Sequence, residues 1–418
     1  MFLNNFLYRT VALALIASLV TACGGGSSST PTPTPAPTPA PAPAPISGNV
    51  LGVTVDAGPA GSGYNVNRLY ASVKICLPGS STQCQIIDHV LVDTGSTGLR
   101  LLAGALAPGM KLAWLSGSGG LPLLNCAQFV DNTYAWGSVA RADVVLGDKA
   151  AAAIPIQIIA DPAFGNPAAA CSAGGTAYTS SAQLGANGIL GLGTAKEDCG
   201  AACAATTHNG SYYTCSNASC SGTIGAKATV DQQLKNPVPL FASDNNGVLI
   251  DLPAVNPNGA VSLSGSLIFG IGTRANNHVN AAAALSTNSL GYVTTLFEGR
   301  SLVNSFFDTG SNGIFFDSAA LPDCPASSGA GFYCPSSLTT LSATLVGANA
   351  TRIAVVFSID NAVALFAGAS NIVLPTLSGP MSDASSFDWG LPFFYGRRVF
   401  IGIEGQPSVL GTGPFFAF

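Results

Sequence analysis

Charge is scarce in this chain of 418 residues. Lys and Arg total 15 and Asp and Glu 20, together 8% of the residues, where an average soluble domain carries about 25%. So few cations, spread along the whole length, cannot gather the phosphate contacts that hold nucleic acid, and no acidic tail is present. The surface must instead be covered by Ser, Thr, Asn, Gly and Ala. Histidine is scarcer still, with only His89, His208 and His278. No Gly-x-Ser-x-Gly elbow accompanies them, so a serine or cysteine hydrolase fits poorly, and His89 reads as a partly buried structural residue. Gly191-Leu192-Gly193 lacks the rest of a dinucleotide loop, and no alternation of strands and helices surrounds it.

Glycine and proline are abundant, at 49 and 27 residues, and few segments keep a 3.6-residue apolar period, which argues against a helical bundle. Short runs rich in branched residues, broken by Gly-Pro or Pro-Gly turns, point to strands at 49–55, 69–75 and 86–92. The same texture returns at 247–252, 260–271, 304–307, 351–357, 362–366 and 398–403. The chain is therefore expected to be mainly β, with a few short helices such as one near Ser318 to Leu321.

The N-terminus has the form of an export signal over residues 1–22: Arg9 precedes an apolar stretch, Val11 to Val20, that is too short to span a bilayer as a helix. Val20-Thr21-Ala22-Cys23 resembles the bacterial lipobox, in which cleavage before the cysteine is followed by its lipidation. An ordinary signal peptide with a chance cysteine is the alternative. Several acyl chains on Cys23 would give stable anchoring, and Gly24 after the cysteine resembles the sorting signal for the outer membrane, on its periplasmic or exposed side. Proline at every second position from Pro31 to Pro45 permits neither helix nor sheet. As extended polyproline, at about 3.1 Å per residue, it would hold the body about 45 Å from the membrane. Residues 23–46 are thus lipidated cysteine plus tether, and no removable prosegment is expected.

Setting Cys23 aside leaves ten of the 11 cysteines, an even number that suits up to five disulfides in an exported chain. Cys76 with Cys84, and Cys324 with Cys334, look like local loop closures. Cys199, Cys203, Cys215 and Cys220 suit either two disulfides or a zinc ion; the oxidising compartment favours disulfides, so no metal or other cofactor is expected.

One internal repeat carries the chemistry. Val90-Leu91-Val92-Asp93-Thr94-Gly95-Ser96-Thr97-Gly98-Leu99 returns in the second half as Ser305-Phe306-Phe307-Asp308-Thr309-Gly310-Ser311-Asn312-Gly313-Ile314. Each copy has apolar residues entering, a polar loop, then apolar residues leaving. Two carboxylates about 3 Å apart cannot both ionise, so a facing pair shares one proton. One member can then take a proton from water while the other donates to a carbonyl oxygen. Gly95 and Gly310 permit close approach of the loops. Thr94 and Thr309 could cross-link them, and Ser96 and Ser311 could donate to the outer carboxylate oxygens.

With this pair the chain resembles the pepsin-like aspartic peptidases. The resemblance implies a bilobal acid protease fold with two β-barrel-like lobes around a central cleft, placed here at 47–235 and 236–418. It implies Asp93 and Asp308 as catalytic residues of an endopeptidase that needs no cofactor, with Thr94, Gly95, Ser96, Thr309, Gly310 and Ser311 as support. The partner would be a peptide or protein substrate, with apolar side chains flanking the cut, and the protein a monomer held to the membrane only by its lipid.

Further segments extend the resemblance. Asn187-Gly188-Ile189-Leu190-Gly191-Leu192-Gly193 looks like the segment that threads beneath the first loop, and Trp389-Gly390-Leu391-Pro392-Phe393-Phe394-Tyr395 like its counterpart beneath the second. Ser264 to Gly270 resembles the opening strands of the C-terminal lobe. Tyr134-Ala135-Trp136-Gly137-Ser138 looks like the tip of the flap, with Tyr134 as the cleft contact or Trp136 in its place; both could also be packing residues. Gly98 and Arg100 depart from the family pattern, and Arg100 could either point inward and lower the pKa of the dyad or lie on the rim. Such departures suggest a remote bacterial branch. The reading from another class is a non-catalytic lipoprotein that holds peptide or glycan in the same groove.

Overall fold

The computed structural model describes residues 48–418 apart from residues 174, 281, 282 and 369. The export signal, Cys23 and the proline tether lie outside the described residues. The described residues belong to one compact unit. Among the described residues, no helix is long and apolar enough to cross a membrane.

The mainly β, two-lobed arrangement expected from the sequence is the one observed. A 16-stranded sheet carries Asp93 and a seven-stranded sheet carries Asp308. Most of the predicted runs are strands: Val50–Val55, Leu69–Cys76, Cys84–Asp93, Gly247–Asp251, Leu263–Phe269, Arg300–Asp308, Arg352–Ile359 and Arg398–Gly402. The larger sheet does not stop with the first half of the chain. Val50–Val55 pairs antiparallel with Leu263–Phe269, which continues into Gly247–Asp251 and Arg398–Gly402, so strands from both ends of the sequence form one bridging layer. Asn67 adds a polar rivet at this junction: its side-chain amide donates to the carbonyls of Asn312 and Leu374, and its oxygen accepts from the Tyr395 hydroxyl.

Alternation along the strands separates core from cleft. Val90 and Val92 point into the core of the first lobe, and Phe307, Phe387 and Trp389 into that of the second, all fully buried. The second core is an aromatic stack, with Trp389 4.3 Å from Phe387 and Phe387 4.8 Å from Phe316 between ring centroids. Trp389 keeps its indole N–H satisfied by donating to the Thr295 hydroxyl, and each such buried ring contributes about 2–3 kcal/mol of transfer free energy.

Two local expectations fail. Residues 362–366 are not a strand but part of the helix Ala362–Ala367, because Asn361 caps it by accepting from the Ala364 N–H. Ser318 to Leu321 is a turn rather than a helix, and the nearest helical turn is Ala326–Gly329, next to the Cys324–Cys334 bridge.

All ten remaining cysteines pair, as Cys76–Cys84, Cys126–Cys171, Cys199–Cys203, Cys215–Cys220 and Cys324–Cys334. The four clustered cysteines therefore keep no thiolate for zinc. Cys126–Cys171 spans 45 residues and Cys76–Cys84 spans 8, so chain entropy makes the longer bridge about 1.5 kcal/mol the more stabilising. Paired Cys→Ser variants compared by denaturant unfolding should show that order, with the 126/171 variant the weaker fold.

Candidate active site

Each acidic loop is built by the same three-strand device. Val90 to Asp93 pairs parallel with Gly188 to Gly191, and the returning strand Thr97–Leu102 pairs antiparallel with that same segment. In the second half, Asn304 to Asp308 pairs parallel with Ser386 to Gly390, while Ile314–Phe316 lies antiparallel to it. The segments at Gly188–Leu192 and Ser386–Gly390 thus thread beneath the two loops, with Gly191 in register with Asp93 and Gly390 with Asp308. A Cβ on Gly191 would lie 2.6 Å from the Thr97 backbone and one on Gly390 2.0 Å from the Gly313 carbonyl, so only glycine lets the strands cross there.

The two loops meet through a reciprocal set of buried hydrogen bonds. The Thr94 N–H donates to the Thr309 hydroxyl at 3.1 Å and the Thr309 N–H to the Thr94 hydroxyl at 3.0 Å. Each hydroxyl then donates onward across the junction, Thr94 to the Phe307 carbonyl and Thr309 to that of Val92. Within each loop the carboxylate is held on both oxygens. Asp93 accepts from the Gly95 N–H and the Ser96 hydroxyl, and Asp308 accepts from the Gly310 N–H and the Ser311 hydroxyl.

Asp93 and Asp308 face each other and share a hydrogen bond. The opposed glycines leave them room: a Cβ on Gly95 would sit 2.7 Å from the Asp308 carboxyl carbon, and one on Gly310 3.0 Å from that of Asp93. Burial, then the Asp308 charge and the shared hydrogen bond, push the Asp93 carboxyl well above the usual carboxylate range, against the lowering effect of Ser96 and Gly95. Such a pair titrates as a unit and keeps one proton where isolated acids would have lost both.

The pair lies at the floor of a cleft of about 450 Å³, within the range of small-molecule and peptide sites. Leu91 and Ile189 line it from the first lobe, Tyr292 and Phe306 from the second.

A hairpin of Leu123–Gln128 and Thr133–Leu146 overhangs the cleft. Its tip is Phe129 to Asn132, closed by the Phe129 N–H donating to the Thr133 carbonyl. The residues expected at that tip lie elsewhere. Tyr134 and Trp136 are buried and do not line the cleft. They share the opposite face of the strand, where Trp136 donates its indole N–H to the Phe164 carbonyl and packs on Tyr213. Ala135, one residue out of phase, is fully buried on the other face, in one cluster with Tyr178 and Ile189. Phe129, Val130 and Asp131 reach the cleft instead, and Phe129 packs on Tyr178, 5.8 Å between ring centroids.

Arg100 is neither a dyad partner nor a rim residue. It is buried against the cleft wall, paired with Asp198 at 3.3 Å, and donates to the side-chain oxygens of Asn125 and Gln157. Burial raises the Asp198 carboxyl, opposed by Arg100 and by hydrogen bonds from Tyr212 and Asn125. Nothing local in the sequence marks Asp198, Tyr178 or the hairpin tip. The one available signal was Asp131-Asn132, a turn-forming pair ahead of a strand.

Residues 45–418 match the family described as "Protein of unknown function (DUF3443)". The chain belongs to this family. No curated protein matches this DUF3443 chain. Among solved structures it is similar to the crystal structure of aspartic proteinase from Irpex lacteus, at 14% sequence identity and a TM-score of 0.47, over 88% of this chain and 96% of that one.

Two measurements probe the site without assuming what it does. Thr94→Val deletes a buried donor and leaves the Thr309 N–H and Phe307 carbonyl unpaired, so denaturant unfolding should show a loss of about 3 kcal/mol. Thr309→Val should cost as much. The second concerns pH. Asp93, Asp198 and Asp388 all have carboxyls raised by burial first, so the folded state holds their protons more tightly than the unfolded chain does. Their contribution is fully present below the unfolded value near about pH 4 and is lost as pH rises through the raised folded values. Asp244 behaves oppositely: burial raises it, but hydrogen bonds from Arg274 and Lys149 outweigh that and hold it at about 2, so its contribution is lost as pH falls through that value. Thermal midpoints should accordingly rise from about pH 2, peak near about pH 4 and decline toward neutrality.

Proposed function

We propose that this protein is an aspartic endopeptidase in which Asp93 and Asp308 activate water against a peptide bond. One observation carries the reading: the buried carboxyl of Asp93 and the half-buried one of Asp308 share a hydrogen bond, and four hydrogen bonds through Thr94 and Thr309 lock their loops together. A groove that merely holds a ligand has no chemical need for two acids that repel each other.

An extended peptide lies in the cleft beneath Phe129 and Val130, with its scissile carbonyl over the dyad. The ionised member takes a proton from water as the water oxygen attacks the carbonyl carbon, and the protonated member gives its proton to the carbonyl oxygen. The tetrahedral diol collapses as the C–N bond breaks. The departing nitrogen takes the proton of the protonated member while the ionised member takes one from a diol hydroxyl as its C=O re-forms, so the dyad is again singly protonated. No side chain is acylated and no metal is called upon. The shared proton belongs to the pair, not to either residue, and activity requires that it be retained, which places the working range on the acidic side.

The setting proposed is the bacterial cell envelope, with the body tethered through lipidated Cys23 to the outer membrane. Five disulfides among the described residues suit an oxidising compartment, and the lipobox-like Val20-Thr21-Ala22-Cys23 supports the anchor.

A mixed peptide library incubated from pH 3 to 7, with and without a statine-type inhibitor, tests the reading. Cleavage should appear at the acidic end, vanish with the inhibitor, and fall about a thousandfold in Asp93→Asn and in Asp308→Asn. Gly95→Ala, whose methyl would displace Asp308, should lose about a hundredfold through misplacement alone. Intact peptide held equally by wild type and Asp93→Asn would make the protein a binder and reject the peptidase.

A further inference from the structure

The two loops are related by near-twofold symmetry, and the symmetry is broken beside the dyad. Two residues before Asp93, Leu91 stands in register with Ile189; two residues before Asp308, Phe306 stands in register with Asp388. Leu91, Ile189 and Phe306 are apolar residues of the cleft wall. At the fourth position the chain has a carboxyl instead, 2% exposed, and one of its oxygens, Oδ1, is buried without any hydrogen-bond partner. The first lobe shows that an isoleucine fills the equivalent place, so packing does not require an acid there.

The groups around Asp388 narrow what it does. Phe306 flanks it on one neighbouring strand and Phe315 on the other. The ionisable groups facing it are Asp308 and, across the junction, Asp93, both of which oppose its ionisation, while the Ser311 hydroxyl lies within hydrogen-bonding reach. That hydroxyl has one proton and directs it to Asp308 Oδ2 at 2.8 Å. A hydroxyl oxygen also accepts, so Asp388 and Ser311 can bond only if Asp388 brings the proton. An unpaired carboxylate in apolar surroundings is costly, whereas the neutral acid is not.

We propose that Asp388 is a positioning residue for the dyad: as a neutral acid it donates to the Ser311 hydroxyl and so fixes that hydroxyl's single proton on Asp308. The inference rests on the peptidase reading of the cleft. Loss of the Asp388 proton reverses the chain, because the Ser311 proton turns to the new carboxylate, Asp308 loses a donor, and a negative charge appears beside a pair already crowded with charge.

The test combines pH profiles with infrared spectroscopy on the full chain. Asp388→Asn keeps a neutral donor that cannot ionise; its kcat/KM should stay within about threefold of wild type at the optimum, with the alkaline limb moved to higher pH. Asp388→Val has no donor and should lower kcat about tenfold at every pH with KM unchanged. The infrared difference between wild type and Asp388→Asn near neutral pH should contain the C=O band of a protonated carboxyl. An unmoved alkaline limb in Asp388→Asn, or no such band, overturns the proposal. If wild type cleaves nothing, the peptidase reading fails by itself, and the infrared band still decides whether Asp388 is the neutral acid that orients Ser311.

Discussion

Two acids pressed together in a buried junction are the constraint on which the rest of this structure depends. At about 4 Å, and with an effective dielectric constant near 20, two ionised carboxylates repel by about 4 kcal/mol, enough to drive the loops apart. The junction opposes that in two ways. The pair keeps a proton, which removes most of the repulsion, and the reciprocal bonds of Thr94 and Thr309 join backbone to backbone across the interface. Neither device suffices alone. Hydrogen bonds of this kind contribute about 1 kcal/mol each, comparable in sum with the repulsion they face, so protonation and clamping are coupled and whatever disturbs one loosens the other.

The lobes serve this junction by bringing each loop to it on a rigid stalk. Parallel pairing of the entering strand with the threading segment puts the ends of both strands at the same edge, and in each half a core on one face fixes their height. The bridging layer of Val50–Val55, Leu263–Phe269, Gly247–Asp251 and Arg398–Gly402 extends the sheet that carries Asp93 with strands from the second half of the chain, while Asp308 stands on the separate seven-stranded sheet. Within this shared frame the differences between the halves are informative. The overhanging hairpin belongs to the first lobe, and the extra carboxyl, Asp388, belongs to the second.

What could be read from the sequence was whatever the chain repeats. Asp-Thr-Gly-Ser appears twice with apolar residues on either side, so the partner of each loop and the bonding of its threonine could be anticipated from the other copy. Features that occur once were legible only when local chemistry specified them. Tyr134 and Trp136 attracted attention as aromatics, but a strand sends every second residue to the same side, so both pack toward Tyr213 while Ala135 between them packs toward Tyr178 and Ile189. The Ala362–Ala367 helix was missed because its cap, Asn361, lies just before a run of Ala, Val, Leu and Phe that suits a strand equally well. Asp198 and Asp388 carry no local signal, since what defines each is a neighbour supplied by a distant segment.

The Arg100–Asp198 pair shows how such a neighbour can anchor an element of the cleft wall. A buried ion pair rarely adds net stability, because the cost of desolvating two charges offsets their attraction, so its presence in the cleft wall calls for another explanation. Its hydrogen bonds supply one. Arg100 donates to the side-chain oxygen of Asn125, Asp198 accepts from that same amide, and Gln157 donates to the Asn125 carbonyl. Asn125 lies in the first strand of the overhanging hairpin, next to Cys126, which is bridged to Cys171. The base of the hairpin is therefore fixed to the lobe by charge, by amide bonds and by a covalent link at adjacent residues. The turn beyond Gln128 is tied as well, since Phe129 packs on Tyr178 and the Asn132 carbonyl accepts from the Thr176 N–H, so the hairpin is held along its length while Val130 stands 72% exposed at its tip.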